Sequence, residues 1–281
     1  RSTLFPYTTL FRSIIENKWS VIILTAVFAL AFCVTACGRN DDDTSNVSDD
    51  KGTINEALEL YQSTARKVKA LNSVSYKAAS DTRLKFNKDE SQKASSRISV
   101  KEIYTDDSLQ LFLSESSNNY GTPSRQTIYY KDGTAYYRVN SSTGKEKIEL
   151  DKFMTSSAAQ SNPLVCLKQN RIFDISEDSL TECEKEQENG QDIIKLKLND
   201  EDIAEYLTLD ANEEFSIYGN GFSPYELEIE IALGDSGLPE TIEIDYSVKL
   251  STGKGEIEWE YAFEDYNSVK KIDYPNLKKY K

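Results

Sequence analysis

The sequence contains no histidine and only one methionine, Met154. Without histidine, the chain lacks the commonest general base and the commonest zinc ligand of proteins. None of the G-x-S-x-G, H-E-x-x-H, P-loop or dinucleotide-binding patterns occurs in it. Acidic residues are plentiful, but their spacing does not single out a pair as general acid and base. We therefore predict a protein that is not an enzyme, with no catalytic residues, no metal site and no soluble cofactor.

Positive charge is scarce. The chain has 33 Lys and Arg residues against 47 Asp and Glu residues, a formal net charge of −14. A chain this acidic repels the phosphate backbone of nucleic acids, so we expect no nucleic acid partner.

Cysteine is also rare, and two of the four cysteines end an apolar run. WSVIILTAVFALAF is followed by Cys33 and then by Val34-Thr35-Ala36-Cys37, and no charged residue lies between Trp19 and Gly38. The run is long enough for the apolar region of a signal peptide and shorter than the roughly 20 residues of a membrane-spanning helix. An aliphatic residue, two small residues and a cysteine resemble the lipobox of bacterial lipoproteins.

That resemblance implies cleavage between Ala36 and Cys37 and a covalent diacylglycerol on the Cys37 sulfur, with acyl chains such as palmitate. Two chains are enough for stable membrane anchoring. The alternative is an uncleaved N-terminal membrane helix with incidental cysteines. A redox pair is disfavoured because Cys33 lies inside the segment that would be removed.

The predicted organisation has four parts. Residues 3–13, TLFPYTTLFRS, resemble the translation of a sequencing-library adaptor, so we interpret residues 1–13 as an assembly artefact; a genuine amphipathic leader is the alternative. Residues 14–36 are the predicted signal peptide. Residues 37–53 are rich in Asp, Ser, Thr and Gly and are expected to form a flexible, lipid-anchored tether. Residues 54–281 show no break in composition and are predicted to form a single domain.

The two remaining cysteines are Cys166 and Cys183. An even number of leftover cysteines in an exported protein favours a disulfide, which would stabilise the fold by about 3 kcal/mol. Two free thiols are the alternative.

Hydrophobic periodicity predicts a β-rich domain. A capping-box pattern at Thr53 and Glu56 precedes an apolar stripe at helical spacing, which predicts a helix over residues 54–71. SVSYKAASDTRLKF and later segments alternate as strands do, with hairpin turns at Asp132-Gly133 and Asn189-Gly190. PLVCLKQNR and DEDIAEYLTLD are predicted as short helices. The total is about nine to eleven antiparallel strands.

The closing segment has a pattern of aromatic, polar and aliphatic residues: Tyr261, Phe263, Asp265, Tyr266, Asn267, Val269, Ile272 and Pro275. This pattern and the order of elements resemble lipoproteins of the LolA/LppX-like superfamily, particularly Gram-positive members of unassigned function. The resemblance implies an α+β, β-rich fold: a strongly curved, unclosed antiparallel sheet, or half-barrel, with one long N-terminal helix and short helices on its concave face. In such relatives the concave face encloses an apolar cavity for acyl chains.

Two functions are consistent with these patterns. The first is a membrane-anchored, extracytoplasmic carrier or sensor of a hydrophobic ligand, monomeric and on the outer face of a Gram-positive membrane. Its cavity would be lined by inward-facing apolar residues, for which ordinary core is the alternative: Leu58, Tyr61, Tyr76, Leu84, Phe86, Leu111 and Leu113. The second is a non-catalytic envelope interaction protein with a filled core, whose Lys-rich tail KKIDYPNLKKYK contacts anionic wall polymer or the membrane surface.

Overall fold

A computed structural model describes residues 51–86, 90–105, 108–119, 121–154, 162–206, 222–250 and 253–280. The predicted artefact, the signal peptide, the lipid-attachment residue Cys37 and its neighbour Ala36 lie outside the described residues, as does the tether up to residue 50. Among the described residues, no helix combines the length and apolar character needed to cross a bilayer.

Eleven strands and three α-helices form the described part of the chain. The helices are α1 (Lys51–Lys69), α2 (Leu150–Met154) and α3 (Ile203–Tyr206). The strands are β1 (Ser73–Phe86), β2 (Glu90–Thr105), β3 (Ser108–Asn119), β4 (Thr122–Lys131), β5 (Thr134–Val139), β6 (Ser142–Lys147), β7 (Leu180–Glu188), β8 (Gln191–Leu198), β9 (Phe222–Leu233), β10 (Pro239–Leu250) and β11 (Gly253–Tyr266).

All eleven strands belong to one antiparallel sheet in the order β6-β5-β4-β3-β2-β1-β11-β10-β9-β8-β7. The first and last strands of the chain, β1 and β11, pair at its centre. Strands β6 and β7 are the two edges and do not pair with each other, so the sheet is not closed into a barrel. The predicted β-rich, unclosed antiparallel sheet is therefore confirmed.

The predicted hairpins are also confirmed. Asp132 and Gly133 have φ angles of 51° and 69°, and Asn189 and Gly190 have φ angles of 51° and 85°. Positive φ at both central residues is the turn that matches the twist of two-residue hairpins, and Asn, Asp and Gly adopt it most readily. These turns join β4 to β5 and β7 to β8.

The helical predictions fit less closely. Helix α1 spans Lys51–Lys69, so it begins three residues before and ends two residues before the predicted bounds of 54–71. PLVCLKQNR does not form an α-helix but two 3₁₀ turns, Leu167–Gln169 and Arg171–Phe173. The reason is local: Cys166 has a left-handed backbone with φ 57°, and its N–H is bonded to a side chain rather than to a helical carbonyl. DEDIAEYLTLD is helical only over α3, and residues beyond 206 in it lie outside the described residues.

Strand pairing defines two faces of the sheet. Ala78, Tyr261 and Ile242 are paired in register and buried, and we call the side they share the inner face. Helix α1 packs against β7 and β8 on this side, with Leu58, Tyr61 and Val68 buried.

The chain must travel from edge strand β6 to the opposite edge, β7. We call residues 162–179, which lie on that route, the crossing segment. Its apolar residues Leu164, Leu167 and Phe173 are buried in the main core cluster, together with inner-face residues such as Ile242. The crossing segment therefore covers part of the inner face.

Candidate functional site

A buried carboxylate fixes the crossing segment to the sheet. Glu102 of β2 has no exposed surface. Its Oε1 accepts a hydrogen bond from the backbone N–H of Cys166 at 2.8 Å, and its Oε2 accepts one from Leu167 N–H at 2.9 Å. The Tyr104 hydroxyl also donates to Oε2. Successive N–H groups beside a left-handed residue form an anion-binding nest, and here the anion is a side chain of the protein itself.

Burial raises the pKa of Glu102 to about 7, and the bonds from Tyr104, Leu167 and Cys166 oppose that rise. Such a carboxyl in a pocket would be a candidate acid or base. In this protein, however, both carboxylate oxygens are occupied by internal donors, so the geometry indicates a structural role.

A second polar group holds the start of the crossing segment. Asn162 is fully buried; its Nδ2 donates to the Tyr76 hydroxyl at 3.1 Å, and its Oδ1 accepts from the Tyr261 hydroxyl at 3.1 Å. The Tyr76 hydroxyl lies 3.0 Å from the carbonyl oxygen of Leu164. On the other side, the Tyr61 hydroxyl of α1 donates to the carbonyl of Ile172 at 2.7 Å. The crossing segment is therefore bonded to both the sheet and the helix.

The seven predicted lining residues are all buried, but they do not form one group. Five of them belong to the main apolar cluster that includes the crossing segment: Leu58, Tyr61, Tyr76, Leu111 and Leu113. Leu84 and Phe86 are buried at the far end of β1 and are not part of that cluster. The alternating pattern predicted all seven residues to line one cavity, but the structure places Leu84 and Phe86 apart from the other five.

Polar residues lie between these two groups on the inner face. Along β1, the inward positions run from Ala78 through Ser80 to Leu84. Ser80 pairs with Ser96 of β2, which pairs with Ser117 of β3. One row nearer the main core, Glu115 of β3 pairs with Gln126 of β4. We call Ser96, Glu115, Ser117 and Gln126 the polar band.

Each residue of the polar band has a buried polar atom without a hydrogen-bond partner. These atoms are Ser96 Oγ, Glu115 Oε2, Ser117 Oγ and Gln126 Nε2. Each such atom costs about 1–3 kcal/mol compared with a satisfied one. The four atoms lie in two adjacent rows on one face of the sheet. A polar ligand or bound water that formed hydrogen bonds with them would remove this loss of free energy.

Electrostatics limits what the polar band can accept. Burial raises the pKa of Glu115 to about 7; the nearby Ser96 hydroxyl opposes this rise, although its oxygen does not meet hydrogen-bond geometry. The inward residues around Glu115 are Ile98, Leu113, Ser117 and Gln126, which carry no charge. The band thus offers one amide donor, two hydroxyls and a carboxyl, with no cation to bind an anionic group.

Beyond the polar band, toward the end of β1, the inner face is apolar. Leu84 pairs with Gly255 of β11, and a Cβ atom at Gly255 would lie 2.6 Å from Leu84 Cδ2 and 2.8 Å from Val248 Cγ2. The missing side chain at Gly255 lets Leu84 and Val248 lie over the strand. Val248 belongs to the main cluster, whereas Leu84 and Phe86 are buried outside it at this end of β1.

The polar band was not predicted from the sequence. A signal for it was present in LFLSESSNN, where Leu111 and Leu113 predict that Glu115 and Ser117 share their buried side. A charged residue at an inward position of a strand is unusual, because buried carboxyls are rare without a partner.

The predicted disulfide is not formed. Cys166 and Cys183 are both free and buried. Cys166 lies beside Glu102 of β2, whereas Cys183 lies in edge strand β7, paired with Leu196. Burial raises the pKa of both thiols, which keeps them protonated and unreactive.

Within the described ranges, no group of three or more His, Cys, Asp or Glu side chains is placed to hold a metal ion. A cleft of about 270 Å³ lies on the outer face of β7–β10, lined by Glu184, Lys195, Glu230 and Asp245 among others. It is polar and lies on the opposite side of the sheet from the predicted cavity residues.

No family model matches the sequence, and no curated protein matches it. Solved structures do. The chain is similar to LprF from Mycobacterium bovis, with 11% identity, 79% of this chain and 97% of that chain covered, and a TM-score of 0.44. It is also similar to an outer membrane lipoprotein-sorting protein domain from Vibrio parahaemolyticus, with 12% identity, coverage of 80% and 97%, and a TM-score of 0.26.

A LolA superfamily protein from Nitrosomonas europaea is similar as well, with 11% identity, coverage of 80% and 96%, and a TM-score of 0.22. The solved structures similar to this chain thus include a protein of the LolA superfamily, the superfamily that the sequence resembles. At these TM-scores the similarity says nothing about ligand or activity.

Proposed function

We propose that this protein is a non-enzymatic, extracytoplasmic lipoprotein that binds a hydrophobic ligand on the inner face of its open sheet. The ligand is amphipathic: its apolar part lies against Leu84 and Phe86, and its uncharged polar part meets the polar band. The observation that carries this proposal is the group of four unpartnered buried polar atoms on the inner face. Their Ser96–Ser117 row is level with Ser80, two inward positions before Leu84 on β1, and the main cluster does not include Leu84 or Phe86.

The proposed ligand site occupies only part of the cavity expected from the sequence. The crossing segment occupies the inner face where Leu111, Leu113 and Tyr76 lie, and it is bonded there through Glu102 and Asn162. A ligand at that place would have to displace these bonds. At the far end of β1 the proposed ligand would instead satisfy atoms that have no partner.

The anchor and the location form the second part of the proposal. A diacylglycerol on Cys37 would hold the protein at the outer face of the cell membrane of a Gram-positive organism, as a monomer. The lipobox-like residues before Cys37 and the apolar run support this part. A Cys37→Ser variant expressed in such a host should move from the membrane fraction to the soluble fraction. If the variant stays in the membrane and has an intact N-terminal segment, an uncleaved helix is the anchor.

Native mass spectrometry of the full chain, released from membranes in mild detergent, tests the ligand. We expect a co-purifying mass that organic extraction removes, and saturable binding of a fluorescent long-chain fatty alcohol, whose head group is polar and uncharged, by the extracted protein. The matched variants are Gln126→Leu, in the polar band, and Leu111→Ala, in the main cluster. Binding should weaken in the first and persist in the second.

The second candidate function, an envelope interaction protein with a filled core, is favoured by the crossing segment itself. Its buried Leu164, Cys166 and Leu167 fill the inner face over β2. A protein that remains free of ligand after incubation with membrane lipids, and in which Gln126→Leu changes no binding, would support this function over the first.

A further inference from the structure

The outer face of the sheet is divided by charge. On strands β2–β6, outward residues alternate with inward ones. The inward residues include Glu102 of β2, Leu113 of β3, Ile128 of β4 and Ala135 of β5. Every charged residue at these outward positions is basic: Lys93, Arg97, Lys101, Arg125, Lys131, Arg138, Lys145 and Lys147. We call this surface the basic face.

On strands β7–β11, the outer face carries mostly acidic side chains. Its outward acidic residues are Glu182, Glu184, Glu186, Glu188, Glu228, Glu230, Glu243, Asp245, Glu256, Glu258 and Glu260. Burial, followed by the nearby carboxylates led by Glu258, raises the pKa of Asp245. The net negative charge of the chain is therefore concentrated on one half of the sheet, which leaves a positive region on an acidic protein.

In the residues that the structure describes, most cations of the basic face have no ion pair, whereas several on β1 and β8 are paired. At the boundary between the halves, Arg83 pairs with Glu258 at 3.2 Å. On the acidic half, Lys195 and Lys197 each contact two glutamates. Within the described part of the chain, the following cations of the basic face form no ion pair: Lys93, Arg97, Lys101, Arg125, Lys145 and Lys147.

Aromatic rings lie among these cations. Phe112, Tyr129 and Tyr136 occupy consecutive outward positions across β3, β4 and β5, in the row that begins at Lys101 and ends at Lys145. Phe112 and Tyr129 are in contact, with centroids 5.3 Å apart. All three rings are partly exposed.

The C-terminal tail completes the surface. Tyr274 packs on Tyr129 and donates a hydrogen bond to Gln110, and Tyr280 packs edge-on against Tyr136. These contacts bury Tyr280 and hold the tail on the sheet. The lysines of the tail are exposed: Lys270, Lys271, Lys278 and Lys279. Of these, Lys271 pairs with Asp273 at 3.0 Å.

We propose that the basic face binds the surface of an anionic lipid bilayer. Unpaired cations spread over a sheet face complement a plane of negative head groups, and tyrosine rings are suited to the boundary between water and lipid. The acidic half is repelled by the same plane, so only one orientation is favoured. This contact is separate from the lipid anchor and lies on the opposite side of the sheet from the polar band.

Lysine acetylation of the full chain in vesicles tests the orientation. The protein is inserted into vesicles of phosphatidylcholine alone and of an equimolar mixture with phosphatidylglycerol, and the modified lysines are read by mass spectrometry. On the mixed vesicles, we expect acetylation of Lys101, Lys145 and Lys147 to slow at least about fivefold. Each cation near an anionic surface strengthens binding to that surface by about this factor, and a lysine in contact with the bilayer is shielded from the reagent. Lys249 and Lys254 on the acidic half should label equally on both, and high salt should abolish the difference.

A triple variant, Arg97→Gln, Lys101→Gln and Arg125→Gln, should lose the protection of Lys145 and Lys147. The matched variant, Lys249→Gln and Lys254→Gln, should retain it. All five side chains are exposed, so neither variant threatens the fold. Equal labelling on both kinds of vesicle, or equal protection of both halves, would overturn the proposal. Either result leaves the ligand proposal unaffected, because that proposal is read by bound mass and not by labelling.

Discussion

The Oε1 atom of Glu102 lies 2.8 Å from the backbone nitrogen of Cys166, which connects a central strand of the sheet to a segment 64 residues later in the chain. The neighbouring N–H of Leu167 donates to the other carboxylate oxygen. A single side chain thus satisfies two buried backbone donors of an irregular segment. This relationship determines how the crossing segment lies on the inner face.

Replacing Glu102 should be among the most damaging changes in the domain. Glu102→Ala leaves two buried N–H groups without acceptors and should lower the free energy of unfolding by about 3–5 kcal/mol. Glu102→Gln keeps one acceptor and should cost less. Urea denaturation measures both, with exposed Glu260→Ala as the control, which should change stability by under about 0.5 kcal/mol. Equal effects of Glu102→Ala and Glu260→Ala would show that the carboxylate does not hold the segment.

Stability should fall as the pH rises from about 4.5 to about 7. The folded-state pKa of Glu115 is raised to about 7, so the folded protein keeps a proton that the unfolded chain releases above its ordinary value of 4.5. The folded state binds more protons in that window, and the free energy of unfolding therefore decreases with pH. Glu102 contributes in the same direction.

The variant Glu115→Gln isolates this effect. It should be more stable than the wild type at pH 8, where the wild-type carboxyl is ionised, and its stability should vary less with pH between 5 and 7. Urea denaturation at several pH values gives both quantities. An unchanged pH dependence in the variant would mean that Glu115 titrates normally in the folded protein.

Substitutions in the polar band should affect stability and binding in opposite directions. Ser117→Ala removes a buried hydroxyl that has no partner and should raise the stability of the ligand-free protein by about 1 kcal/mol. The same change should weaken binding of a fluorescent long-chain fatty alcohol, whose hydroxyl is polar and uncharged. Leu113→Ala, in the main cluster, should instead cost about 2–5 kcal/mol. A Ser117→Ala variant that is destabilised would indicate that bound water already satisfies the hydroxyl.

Substitution of Asn267, in the closing pattern of the sequence, should lower the stability of the fold. This residue has a φ of 57°, and its Oδ1 accepts a hydrogen bond from the backbone N–H of Asn72 at 2.7 Å. Asn267→Gly keeps the left-handed backbone and loses the bond, so it should cost about 1 kcal/mol. Asn267→Ala adds about 1–2 kcal/mol of backbone strain. Thermal unfolding should rank the two in that order. Because both variants lose the bond, equal stabilities would show that the left-handed conformation costs alanine no more than glycine at this position.

Several elements were predictable because their causes are local. The strand predicted from SVSYKAASDTRLKF is β1 with the same bounds, since alternation is a property of consecutive residues. The Asp132-Gly133 and Asn189-Gly190 hairpins follow from residues that accept positive φ. The helix expected in PLVCLKQNR was wrong because its N–H groups bond to Glu102, a partner that lies far away in the sequence.

The candidate site was predictable only in part. Periodicity identified Leu84 and Phe86 as inward and buried, and it did the same for Leu111 and Leu113. It could not show that the crossing segment packs over the second pair and not the first. Nor could it show that Glu115 and Gln126 are neighbours, because strand register brings them together across a turn.

The sequence by itself determined the alternation of each strand, the turns between neighbouring strands, and the acidic balance of the chain. These depend on residues a few positions apart or on composition alone. The tertiary structure decided which part of the inner face is filled, which polar atoms are left without partners, and how the outer charges divide into two halves. Those features depend on the order of eleven strands in one sheet and on where a single connection crosses it, and both are set by contacts between residues far apart in the chain.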